Sequence, residues 1–187
     1  MSIRFSSIIP AFLVFGLSSV FAQTGASPSS AASVGTTVAG ILECGEGYTS
    51  HELYDMKITV REVVRGEDAW IRIKEAGGSN KPPAEGTDYV LVRVRFEYYA
   101  RGNPGTCAHQ LLPEQFTAYS SSGEDYRSPA SVVPPKPEMR KSLKSGESLE
   151  GWIVFAVPKE DRAPLLSFSA DAGGSVQHGE PKWFSLR

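Results

Sequence analysis

The chain has 187 residues, 41% hydrophobic and 21% charged, which supplies enough apolar material for a packed core and excludes a globally disordered chain. Its formal net charge is −2, from 19 Lys+Arg against 21 Asp+Glu, so it lacks the basic excess of a nucleic-acid-binding surface. The 18 Gly and 13 Pro argue against a mostly helical protein, because both residues break or weaken helices.

Residues 1–22 have the form of an export signal. Arg4 is the single positive charge of the leading region, and Ile8 to Phe21 is the apolar stretch. Val20 and Ala22 stand at the −3 and −1 positions of a cleavage that would leave Gln23 first. The uncharged run from Phe5 to Ala22 reaches the length of a spanning helix, about 18 residues. It contains Pro10, Gly16 and four serines, however, and no positive cluster follows it. Cleavage is therefore expected, with no stable membrane anchor afterwards, and the protein is expected to be secreted or periplasmic. No cysteine follows the stretch directly to accept a lipid. In residues 23–43, fourteen of 21 residues are Gly, Ala, Ser or Thr, which predicts a flexible spacer. The folded domain is expected over residues 44–187.

From Met56 onward the hydrophobic period is two. Met56, Ile58 and Val60 share one face of a strand over Tyr54–Val64. Val90, Val92, Val94, Phe96 and Tyr98 alternate with Leu91, Arg93, Arg95, Glu97 and Tyr99, giving the clearest strand in the chain. Leu149, Gly151, Ile153, Phe155 and Val157 form a third face. Weaker strands are predicted at Ala69–Lys74, Gln115–Tyr119, Leu165–Ala170 and Lys182–Leu186. Turns are marked by Ser120–Gly123 and Lys144–Glu147, and Ala76–Gly86 reads as a flexible loop jutting from a sheet. Ser128–Pro137 carries four prolines, so it reads as an extended surface crossing. About seven short strands with such turns predict an all-β fold, an immunoglobulin-like β-sandwich.

The segments Tyr89–Tyr99 (YVLVRVRFEYY), Tyr119–Tyr126 (YSSSGEDY) and Leu143–Pro158 (LKSGESLEGWIVFAVP), together with Phe116 and Leu165–Phe168, carry a resemblance. The region from Tyr54 to Leu186 resembles the telokin-like, immunoprotective extracellular immunoglobulin-like domain family of bacterial secreted proteins and lipoproteins. That family has no agreed chemistry, so the resemblance implies the sandwich and export by a bacterium, and it supplies no catalytic residue.

Two cysteines in an exported chain predict a Cys44–Cys107 disulfide. Metal ligation is a weak alternative, with His51 and His109 as candidates and Met56 nearby in sequence; zinc and copper sites need three or four convergent ligands in spacings that do not occur here. No cofactor is predicted. No G-x-S-x-G, H-E-x-x-H or S-x-x-K pattern is present, so no catalytic residue is assigned. Tyr89, Tyr99 and Trp152 fall on the opposite phase from the core residues. They form either a recognition surface or a second sheet face covered by Ser128–Pro137; packing is the commoner fate of aromatics. The leading functional expectation is a secreted, non-enzymatic binding or adhesion module, its partner an unidentified extracellular protein or envelope component. The alternatives are a periplasmic protein handling a metal or small ligand, and a hydrolase whose carboxylates the sequence does not align.

Overall fold

The long alternating run of the sequence becomes the centre of a sheet. In the computed structural model, which describes residues 23–45, 52–102, 105–126, 128–174 and 177–187, strand β3 is Thr87–Ala100. It pairs antiparallel with β2 (Glu52–Arg65) on one side and β8 (Ser148–Pro158) on the other. β1 (Thr37–Cys44) and the short β10 (Gln177–His178) complete a five-stranded sheet in the order β10-β1-β2-β3-β8. The second sheet has the order β11-β9-β5-β6, from β5 (Phe116–Tyr119), β6 (Asp125–Tyr126), β9 (Leu165–Phe168) and β11 (Lys182–Ser185). β4 (His109–Leu111) and β7 (Lys141–Leu143) form a separate ribbon. The two larger sheets make an all-β, immunoglobulin-like sandwich.

Apolar burial between the sheets holds the layers together. Val92, Val94, Phe96, Ile153 and Phe155 are buried, as their phase predicts. They do not face one another across the sandwich, because β3 and β8 are neighbours: Val92 lies opposite Ile153 in the same ladder. Their facing partners come from the second sheet, where Phe168 sits 5.4 Å from Phe96 and 5.1 Å from Phe116, centroid to centroid.

Two expectations are corrected. The small-residue segment before Cys44 is not a flexible spacer along its length. β1 pairs with β2 from Thr37–Thr59 to Cys44–Glu52, and Ala32 bridges to Phe184. A strand needs only alternate bulky residues, and Val38, Leu42 and Cys44 supply them on one buried face. Residues 1–22, with the export signal, lie outside the described residues. The second correction concerns Ala69–Lys74, which is not a strand. Glu67–Ala76 is a helix, α1, packed through Ala69 and Ile73, four residues apart on one face. Glu67 and Asp68 in its first turn and Lys74 in its last match the helix dipole.

α1 covers the outer face of the five-stranded sheet, over Tyr89, Leu91, Trp152 and Val154. The loop after it is pinned at Lys81, whose carbonyl accepts from the Tyr89 hydroxyl at 3.1 Å, and at Asn80. The Asn80 side-chain amide is buried; its Nδ2 donates to the Ile73 and Val133 carbonyls at 2.6 and 2.9 Å, and its Oδ1 accepts from the Val133 N–H at 2.8 Å. That bond pair ties the proline-rich crossing to the helix end.

Candidate functional site

The predicted site residues separate into three places. Cys44 and Cys107 form the disulfide, which ties the end of β1 to the loop before β4. Tyr89 and Trp152 are buried beneath α1 and Val132, so they pack the second face and cannot present a recognition surface with Tyr99. Tyr99 is exposed on the uncovered part of that face, with Lys57 Nζ 6.0 Å from its ring. His51 lies outside the described residues. His109 is fully buried against Phe96, with ring centroids 5.0 Å apart, and Met56 is buried in the core. Among the described residues no group of three or more His, Cys, Asp and Glu side chains could hold a metal ion.

His109 instead ends a polar chain beside the disulfide. Gln177 Nε2 donates to the Tyr98 hydroxyl at 2.7 Å and lies 3.3 Å from Cys107 Sγ, which leaves its Oε1 to accept from His109 Nδ1–H. In the neutral ring this hydrogen bond places the proton on Nδ1. Gln115, whose side chain bonds the Ala170 carbonyl and the Leu112 N–H, lies beside the ring. Burial holds the imidazole below its ordinary value, against the hydrogen bond to Gln177. Burial also pushes the Tyr98 hydroxyl well up. Tyr98 donates in turn to the Cys107 carbonyl at 3.1 Å and stacks on Tyr54, 4.5 Å between centroids. The Tyr54 hydroxyl donates to Glu52, which also accepts from Thr106, and these hydrogen bonds lower the Glu52 carboxyl. The hydrogen bonds of this cluster fasten the loop that carries Cys107.

The recess suited to a ligand lies elsewhere, on the flank where the sandwich opens. The outer edge of β8 ends the first sheet there, and β6 ends the second. Residues 128–140 cross between them. Trp152 N–H donates to the Pro137 carbonyl at 2.8 Å, and Met139 N–H donates to the Trp152 carbonyl at 3.3 Å, a parallel bridge centred on Glu138. Met139 plugs the core at this point and is fully buried. Between the crossing and the sheet edges is a half-open groove of about 510 Å³. Phe116, Ile153 and Val154 give it an apolar wall, and Pro129, Val132 and Pro134 stand opposite. Asp125, Glu114, Glu138 and Arg140 line it with charge. Arg140 Nη2 donates to both Glu114 oxygens, at 2.9 and 3.3 Å, and its Nε lies 3.5 Å from Glu138. The Glu114 carboxylate pushes the Arg140 guanidinium above its ordinary value. The volume falls within the usual range of ligand sites, about 300–1,000 Å³.

Residues 49–178 match the model of a family described as a domain of unknown function, DUF4352. The chain belongs to this family. The DUF4352 match takes in the whole groove and Cys107, while Cys44 and β11 lie outside it. Three solved structures are similar to the chain. A putative lipoprotein, ycdA, from Bacillus subtilis has a TM-score of 0.49 at 13% identity over 70% of this chain. The chain spans 35% of that protein's length. The yjhA protein of B. subtilis has a TM-score of 0.45 at 17% identity, over 74% of this chain and 81% of its own. The secreted protein MPT63 of Mycobacterium tuberculosis has a TM-score of 0.43 at 13% identity, over 62% and 76%. No curated protein matches the chain.

Sequence reasoning missed the groove residues Glu114, Asp125, Glu138 and Arg140, which scatter over three segments. One signal was available. Gly151 interrupts a strongly apolar strand, and a strand glycine often marks a close backbone approach.

Proposed function

We propose that this DUF4352 protein is an exported, non-enzymatic binding module that receives its ligand in the groove beside β8. The observation that carries the reading is the groove itself, in which an apolar wall and a fixed charged rim converge on an open sheet edge. Two of its three carboxylates, Glu114 and Glu138, share the Arg140 guanidinium, which suits a recognition rim better than an acid–base pair. Among the described residues that line it there is no histidine, cysteine or lysine.

Export is supported by the pattern of residues 1–22 and by the Cys44–Cys107 disulfide, a bond that persists in oxidising compartments. No helix of the described residues is long and apolar enough to cross a membrane. The kinship with telokin-like extracellular domains belongs to the same proposal, supported by the two-sheet sandwich and the Leu143–Pro158 segment.

The test is titration of the ¹⁵N-labelled protein with three defined probe classes: a neutral oligosaccharide set, a pool of extended peptides, and a short-chain amphiphile. Saturable amide shifts centred on Phe116, Asp125 and Trp152–Val154 with one class support the reading. Shifts confined to the Tyr99 face, or none with any class, overturn it.

A further inference from the structure

We propose that the groove is a strand-addition site: it takes a short extended stretch of polypeptide, hydrogen-bonded to the β8 edge at Val154, with a basic side chain directed to Glu114, Asp125 and Glu138. This rests on the groove being the binding site and names the chemistry of its occupant.

β8 is the last strand of its sheet, with β3 on one side only. Edge-facing N–H and C=O groups recur at every second residue of an antiparallel strand. Trp152 turns its own pair outward, since both are taken by residues 137–139. Val154 and Ala156 must therefore turn theirs the same way.

The crossing segment pairs with Trp152 and then leaves. Arg140 N–H bonds back to the Glu138 carbonyl at 2.8 Å, and the chain departs into β7, which pairs with β4. Had it continued straight, residues after Met139 would lie beside Val154. That position is the groove. No described backbone group occupies it, so the Val154 edge is open within a partly apolar recess. An unpaired strand edge is a template for another extended chain, and main-chain pairing with side-chain pockets is a recurrent mode of peptide recognition.

Charge selects among such chains. Three carboxylates, Glu114, Asp125 and Glu138, stand at the rim against the Arg140 guanidinium and Lys136, whose Nζ lies 3.6 Å from Glu138. The excess is negative, so a Lys or Arg on the incoming strand is complementary and a Glu or Asp is repelled. Phe116 and Ile153 then accept an apolar neighbour of that residue, which in an extended chain points to the opposite side.

The experiment uses the exported chain and a pool of pentapeptides, acetyl-Xaa-Xaa-Lys-Xaa-Xaa-amide, with a Glu-centred pool and a pool N-methylated at alternate residues as controls. Saturation with the Lys pool is expected to slow hydrogen exchange of the Val154 and Ala156 amides about tenfold or more. N-methylation in one of its two registers is expected to abolish this. Glu114→Gln with Glu138→Gln, which leaves the backbone edge intact, is expected to weaken Lys-pool binding about tenfold and to bring the Glu pool level with it. Groove shifts without protection at Val154, or equal binding by both N-methylated registers, overturn strand addition. Groove shifts with the oligosaccharide or amphiphile alone overturn it while leaving the groove as the binding site. Silence from all three probe classes overturns both readings.

Discussion

Gly151 lies directly against Pro137: a side-chain carbon built on Gly151 would come within 3.0 Å of the Pro137 carbonyl oxygen. The missing side chain is what allows the crossing segment to hydrogen-bond Trp152 and drop Met139 into the core. Gly151→Val should push the segment off the β8 edge, as overpacking against backbone does, at a cost of about 1–3 kcal/mol. Urea unfolding measures the loss. Hydrogen exchange should show the Trp152 and Met139 amides newly exposed. Protection unchanged at both amides would mean that the crossing does not depend on this close approach.

Phe155→Ala should cost about 3–5 kcal/mol, because Phe155 is fully buried between the sheets and its removal leaves a cavity. Arg93→Ala on the neighbouring strand should cost less than about 1 kcal/mol. Arg93 is about half exposed, pairing with Glu150 and reaching Glu62 at 3.8 Å. Its guanidinium also lies 5.9 Å from the Trp152 ring, a further small loss. Denaturant midpoints of the two variants provide the comparison, and equal losses would contradict the inward phase of β8.

Strand phase was legible in the sequence wherever one face is apolar and the other charged. The inward set Val90 to Tyr98 is buried as its alternation requires. Alternation was silent about which strands are neighbours, so the pairing of β3 with β8 in one sheet could not be read from it. It also misled where both faces are covered. Tyr89, Leu91, Trp152 and Val154 are buried because α1 lies over them, and α1 itself looked like a strand in Trp70-Ile71-Arg72-Ile73. The helical signal there was the Ala69–Ile73 spacing with acids before and Lys74 after. The groove was not legible, because it is made by a crossing chain whose position is set by Gly151 and Asn80, two small or polar residues far from it in sequence.

The disulfide should govern how β1 is held. Thiol labelling of the native and the unfolded but unreduced protein is expected to give no uptake, with labelling only after reduction. Uptake by the unfolded, unreduced chain would rule the bridge out. The bond closes a separation of 63 residues, which in the chain-entropy model corresponds to about 4 kcal/mol. Reduction should lower stability by about that amount without dissolving the sandwich, since β1 still pairs with β2 over its full length. A collapse of the Phe96–Phe168 core on reduction would show that the sheets depend on the bridge.

His109 should make the fold sensitive to mild acid. Its folded value lies below the ordinary 6.5 because burial disfavours the imidazolium. The unfolded chain therefore takes up the proton first, so the contribution is fully present above about pH 6.5 and is lost as pH falls from there toward the depressed folded value. The slope of stability against pH is limited to about 1.4 kcal/mol per unit for one proton. Carboxyls lowered by their hydrogen bonds, such as Glu52 and Glu147, add their own losses only nearer their ordinary value of 4.5. The interval between about pH 6.5 and 5 thus separates His109 from these carboxyls. His109→Phe keeps a ring against Phe96 and removes the titrating nitrogen, leaving Gln177 short of one partner. It should lose some stability at neutral pH and show a flatter profile through that interval. Urea midpoints at closely spaced pH values measure both profiles, and parallel slopes in the two proteins would assign the acid sensitivity to another group.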